Sequence, residues 1–150
     1  MKLANFDFRI WDKGEKTLTY ASKDWKLGIG FSNPQQDYGE TESVLHAYYD
    51  GEPLCPDDCE IELWSGFYDK NGKKIYEGDI VKYDSNTRPL VVVFERNTFY
   101  IIDTSIEKHL QVDCGTRLQG IYENRINGYK ENDNRLESIK VIGNIHKSKE

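Results

Sequence analysis

The stretch that most constrains this chain runs from Trp64 to Tyr83, Trp64-Ser-Gly-Phe-Tyr-Asp-Lys-Asn-Gly-Lys-Lys-Ile-Tyr-Glu-Gly-Asp-Ile-Val-Lys-Tyr83, in which short β-prone runs alternate with glycine corners. Asp69-Lys-Asn-Gly72 supplies an acceptor side chain and then a residue that tolerates positive φ, the chemistry of a tight turn. It predicts a hairpin joining residues 60–68 to Lys73–Tyr76. Gly78 and Asp79 then turn the chain into a further strand, Ile80–Tyr83, with Asp79 placed to accept from local amides. Upstream, the alternation predicts Ile61 and Leu63 on one strand face and Glu60, Glu62 and Trp64 on the other.

The flanking sequence is read against this centre. Phe6-Asp-Phe-Arg-Ile10 alternates at period two, so Phe6, Phe8 and Ile10 are expected to face inward, with Trp11 on the Asp7/Arg9 side. Asp12–Glu15 reads as a turn and Thr17–Tyr20 as a returning strand, giving a hairpin over residues 5–21. Gly28 and Gly30 weaken any strand over Trp25–Phe31. Asn33–Gly39 is a loop by composition. Thr41 caps an expected short helix whose Val44, Leu45, Tyr48 and Tyr49 share a face, with Gly51 as its stop signal.

In the second half, Leu90–Phe94 is an uninterrupted apolar run that suits a central strand, and Arg96-Asn97 separates it from Phe99–Ile102. Thr104 and Glu107 have capping-box spacing, with Ile106 and Leu110 at i and i+4 for a brief helix. Residues 113–138 show no sustained period and are expected to form a long flexible excursion, after which Ile139–Ile145 is a closing strand. Seven or eight short strands with one or two brief helices make a mainly β protein of the α+β kind. Its expected parts are an N-terminal β-hairpin lobe with a short helix and a small C-terminal SH3-like β-barrel, a closure that removes exposed sheet edges.

Charge is segregated along the chain. Between Leu27 and Asp69 stand ten carboxylates and no Lys or Arg, while the remainder holds 16 acidic and 20 basic residues. Such an acidic segment suits a basic partner, a second copy of the chain, or a protein that normally holds nucleic acid; its bland reading is a solvated face. No run approaches the ~20 apolar residues of a membrane span, and the start lacks a secretion signal, so the expected location is the cytoplasm. Cys55, Cys59 and Cys114 are too few and too oddly spaced for a disulfide framework. Cys55-Pro-Asp-Asp-Cys59 has no second ligand pair at matching spacing, so neither a metal nor another cofactor is expected.

Three blocks carry a resemblance: Phe8-Arg-Ile-Trp-Asp12, Ser65-Gly-Phe-Tyr-Asp-Lys-Asn-Gly-Lys-Lys-Ile-Tyr-Glu-Gly-Asp-Ile-Val81 and Val141-Ile-Gly-Asn-Ile145. In order and separation they resemble the YopX family of bacteriophage and prophage proteins. Ser65 stands where that family has Thr, and Asn97-Thr98 stands where it has an Asn-Gly turn. The resemblance implies one YopX-like unit over residues 1–150, with lobes near 1–60 and 61–150. It also implies a phage accessory setting in a host bacterium and self-association, without an activity.

Function is weighed on this basis. No phosphate loop, no G-x-S-x-G and no paired metal motif is present, and the three His residues are scattered, so no catalytic residues are assigned and a non-enzymatic protein is expected. The leading expectation is a homo-oligomeric interaction module that also binds a host or phage protein. Its candidate surface is Trp11, Trp64, Tyr68, Asp57, Asp58 and Glu60. One alternative is an acidic nucleic-acid mimic that inhibits a host factor. Another is a nucleic-acid-binding barrel using Lys70, Lys73, Lys74, Lys82, Arg88 and Arg96 with Tyr76 and Tyr83, which the overall acidity disfavours.

Overall fold

The computed structural model describes residues 2–31, 45–83, 87–124 and 133–147. The chain divides into two compact units, Asp7–Glu62 and Met1–Phe6 with Leu63–Glu150.

In the N-terminal unit, β1 (Phe8–Asp12) and β2 (Thr17–Tyr20) form the expected antiparallel hairpin, Arg9 opposite Tyr20 and Asp12 opposite Thr17. Both faces of β1 are covered: Phe8 and Ile10 are buried on one, Asp7 and Arg9 on the other. A second sheet joins β3 (Leu27–Phe31), β4 (Leu45–Tyr49) and β5 (Glu52–Pro53).

The short helix expected over residues 41–49 is therefore corrected to a strand from Leu45 onward; Thr41, Val44 and the Asn33–Gly39 loop lie outside the described residues. Two features explain it. Tyr48 and His46 stand cross-strand from Gly28 and Gly30, the pairing of an aromatic ring over a strand glycine that favours a sheet. Asp50 and Gly51 both have positive φ (51° and 80°) and connect Tyr49 to its partner Glu52. Gly51 is thus the second residue of a two-residue hairpin turn of the Asp-Gly kind, not a helix stop.

β6 (Cys59–Asp69) begins in this unit and continues past Glu62 into the C-terminal one. There β7 (Lys74–Tyr76) pairs back on it, Trp64 opposite Tyr76 and Tyr68 opposite Lys74, as the Asn-Gly turn predicts. The register breaks between those pairs, where Gly66 has φ 85°, the mark of a β-bulge.

Next come β8 (Asp79–Lys82), β9 (Leu90–Glu95), β10 (Thr98–Ile102), β11 (Thr116–Arg117), a helix α1 (Leu118–Glu123), β12 (Arg135–Leu136) and β13 (Lys140–Asn144). Five of these strands make one sheet in the order β11-β10-β9-β8-β13. Among the described residues this sheet is open, so the expected barrel is not formed by its pairing: β13 lies against β8 at one end, and at the other β11 extends the sheet by only two residues. Between β9 and β10, Arg96 and Asn97 both take positive φ (50° and 62°) and Thr98 pairs with Glu95. The two-residue turn lies one position before the Asn97-Thr98 pair and needs no glycine.

Within the expected excursion over 113–138, the described residues 113–124 and 133–138 carry structure of their own, while 125–132 lie outside the described residues. Leu118 of α1 and Leu136 of β12 are fully buried with Ile75, Val81, Val92, Ile101, Ile139 and Val141 in one core. Each such side chain contributes about 1.5–3 kcal/mol of burial. The helix expected after Thr104 shrinks to one 3-10 turn, Lys108–Leu110.

A buried carboxylate ties this unit together. Asp69, 1% exposed, accepts from the N–H groups of Asn71 and Lys73 through Oδ1 and from that of Val141 through Oδ2, each at 2.9 Å. Asp79, equally buried, accepts from the Tyr76 N–H at 2.9 Å. Gly78 donates to Val92 O and accepts from Ile145 N–H. Replacing Asp69 with Ala orphans three amides around the core, and we expect a loss of about 3 kcal/mol or more by urea denaturation. Asp113→Ala, at an exposed ion pair, should change stability far less. Equal effects would show that Asp69 does not hold the unit.

Candidate functional site

The sequence-derived surface residues fall into separate groups. Trp64 and Tyr68 are brought together on β6: both are half-buried, their rings meet edge-on at 5.4 Å, and the Trp64 Nε1–H donates to Phe67 O at 3.0 Å. Lys74 lies over the indole at 4.6 Å. These contacts are internal to one hairpin, and they satisfy the polar edge of Trp64 where a partner would otherwise do so. Trp11 is half-buried in the N-terminal unit, across from Leu18.

Asp57, Asp58 and Glu60 are exposed, as expected. They surround Lys13, whose Nζ is 3.0 Å from Glu60 Oε1 and whose N–H donates to Asp58 O at 2.8 Å. The hydrogen bond and charge of Glu60, reinforced by Asp58 and Asp57, hold the Lys13 ammonium above its ordinary range. Glu62 departs from the expected pattern. Only 4% exposed, it lies inside with Arg9, 1% exposed, at 2.6 Å from Arg9 Nε, while Ile61 is turned outward. Arg9 also donates to the Tyr20 hydroxyl at 3.3 Å and stacks over its ring at 5.5 Å. Burying a guanidinium and a carboxylate together is tolerable because each supplies the counter-charge the other loses with water.

Among the described residues, the aromatic or aliphatic side chains most open to solvent are Leu3, Trp25, Phe31 and Leu45, none of them among the candidate surface residues. Trp25 is 85% exposed and Phe31 72%, and Leu45, cross-strand from Phe31, is about half-exposed. Leu27, Ile29 and Phe31 share one face of β3 with Tyr49, Ala47 and Leu45 of β4. That face is covered at Leu27 and open at Phe31 and Leu45. The alternation of Leu27, Ile29 and Phe31 with two glycines was the available signal, because it leaves side chains on one face only.

The C-terminal unit carries an open cleft of about 1010 Å³, lined among others by Arg96, Tyr100, Asp113, Arg117, Asp133 and Glu137. Asp113 is held by Arg96 at 2.8 Å, and Asp133 accepts from the Arg135 N–H at 3.0 Å. These contacts use the carboxylates as structural acceptors. Among the described residues, no group of three or more His, Cys, Asp or Glu side chains gathers as metal ligands. The basic strip loses one stacking platform, since Tyr76 is buried, and burial pushes the phenol of the half-buried Tyr83 up.

The cysteines are free thiols: Cys55 and Cys114 are exposed, and Cys59 is half-buried. Burial, then the charges of Asp12 and Asp58, raise the Cys59 thiol. A raised thiol pKa means less thiolate near neutral pH, so Cys59 should be the last of the three alkylated by iodoacetamide, as followed by peptide mass. Labelling of Cys59 first would contradict its placement. For the buried pair, Arg9→Met alone should cost about 3–5 kcal/mol. Arg9→Met with Glu62→Leu should recover at least half of that loss, and an additive loss in denaturation would mean the two groups act independently.

Set beside known proteins, the chain is similar to solved structures. Protein yopX of Bacillus subtilis aligns with a TM-score of 0.53 at 17% identity, covering 97% of this chain and 97% of its own. Protein EF1440 of Enterococcus faecalis aligns with a TM-score of 0.48 at 19% identity, covering 97% and 96%. No curated protein is similar to the chain. The YopX protein profile matches residues 7–150, and the chain belongs to the YopX family.

Proposed function

We propose that this chain is a non-enzymatic accessory protein of a phage or prophage that works by self-association and by binding other proteins in the host cytoplasm. The observation that carries the proposal is the set of solvent-open apolar side chains on the N-terminal unit, Trp25 and Phe31 foremost. Single exposed apolar residues are ordinary, but aromatics this open beside an uncovered sheet face mark surfaces that other proteins cover. The phage setting is supported by the family resemblance. The cytoplasm is supported by three free thiols, which persist in reducing compartments. No helix of the described residues is long and apolar enough to cross a membrane.

An acidic mimic of nucleic acid is the second reading. It is favoured by the composition of the N-terminal unit, 13 carboxylates against five Lys and Arg, a net charge of −8. Against it, Glu62 is internal and Glu60 is engaged by Lys13, which leaves a weaker and less regular row of charges than the sequence suggests. Nucleic-acid binding is less favoured still, with Tyr76 buried and Lys74 stacked on Trp64.

Native mass by light scattering should show a dimer or larger assembly at micromolar concentration. Trp25→Ser with Phe31→Ser should move it toward the monomer without altering the far-ultraviolet circular dichroism. A monomeric parent protein over that range would remove self-association from the proposal.

A further inference from the structure

The N-terminal unit holds a small apolar hollow of about 140 Å³, lined by Ile10, Ile29, Ala47, Leu54, Cys59 and Ile61 among others. Its volume is comparable with the roughly 150 Å³ at which an apolar cavity accepts a benzene-sized group. Ile61 and Leu45, which also lines it, are exposed and open it to solvent. Its lip is acidic by the covalent order of the chain: Asp57 and Asp58 stand between Pro56 and Cys59, both lining residues. Both carboxylates are exposed. Glu60, between Cys59 and Ile61 on β6, turns to the opposite face and pairs with Lys13.

We propose that this hollow takes one apolar side chain, of Phe or Leu size, from a Lys/Arg-rich segment of a partner protein, whose cations meet Asp57 and Asp58. The inference rests on the protein-interaction reading above and names the chemistry of the partner. Charge complementarity selects the occupant. The unit carries a net −8, so the same unit of a second copy would bring like charge to the lip, whereas a basic segment brings the opposite sign. The apolar pocket fixes register and the carboxylates raise the rate of encounter, a division of labour common at interfaces with one buried anchor and a polar rim.

The test uses the full chain and a fluorescein-labelled peptide, Lys-Arg-Lys-Phe-Lys-Arg-Lys, followed by anisotropy at low salt. We expect saturable binding that weakens about tenfold or more when the Phe is replaced by Ser, the loss of one buried aromatic anchor. Asp57→Lys with Asp58→Lys should weaken it severalfold, and the loss should shrink at raised salt. Ala47→Leu, which fills the hollow, should reproduce the Ser peptide's loss; Ile61→Ser, at an exposed position, is the second variant should the filled one not fold. Equal binding of the Phe and Ser peptides, or no binding to folded protein, would overturn the proposal. So would a fall in native mass on charge reversal at Asp57 and Asp58, since a second copy would then be the occupant. A monomer that binds the Phe peptide would remove self-association and leave this inference standing. An oligomer that ignores the peptide would do the reverse.

Discussion

The C-terminal unit depends on one carboxylate that has left water and found three amides. Asp69 accepts within its own turn, from Asn71 and Lys73, and across 72 residues of chain, from Val141. A buried ionised group without such partners would be prohibitive, so the turn and the last strand are required together. The same strand then reaches Asp79 through its pairing with Asn144, and Gly78 bridges Val92 and Ile145. The residues that make the Trp64–Tyr83 stretch recognisable are those whose removal would leave polar groups of the core unsatisfied. A signature of this kind identifies a fold.

The N-terminal unit solves a related problem with side chains alone. Arg9 and Glu62 are both internal, and the Tyr20 ring and hydroxyl complete the guanidinium's surroundings. An ion pair of this sort contributes little net stability compared with an apolar pair of the same shape, yet neither member can be lost alone. It also forces the strand outward at its neighbour, since an inward Glu62 leaves Ile61 facing the other way. The exposure of Ile61, and with it one wall of the apolar hollow, follows from the position of a buried charge.

Which parts were legible in sequence follows from the range of the interactions involved. The β1–β2 hairpin, the Asn71-Gly72 turn, and strands β8, β9, β10 and β13 depend on alternation and turn chemistry within a few residues, and these were readable. β4 was misread because Val44, Leu45, Tyr48 and Tyr49 fit a helical face as well as a strand, and only the Asp50-Gly51 turn and the glycines of β3 decide between them. α1 and β12 were missed because Leu118 and Leu136 are isolated apolar positions in polar text, and what buries them comes from Ile75, Val92 and Ile101 far along the chain. The inversion at Ile61 and Glu62 could not be seen from period two, because it requires knowing that Arg9 is inside. Among the candidate surface residues, Asp57, Asp58 and Glu60 are exposed, whereas Trp64 and Tyr68 are half-buried and engaged with each other.

These two arrangements bear on how a chain of this family could diversify without refolding. The polar core contacts of Asp69 and Asp79 in the C-terminal unit run to backbone amides, which any residue but proline supplies, so it is the acceptors that are tightly specified there. In the N-terminal unit the specified residues, Arg9 and Glu62, are buried, whereas Asp57, Asp58, Phe31 and Leu45 are exposed. Substitutions at Asp57, Asp58, Phe31 or Leu45 therefore come at small cost to folding, while those at Asp69 or Glu62 alter whether the chain folds. A scaffold held by buried polar contacts in this way leaves its exposed positions open to change without refolding.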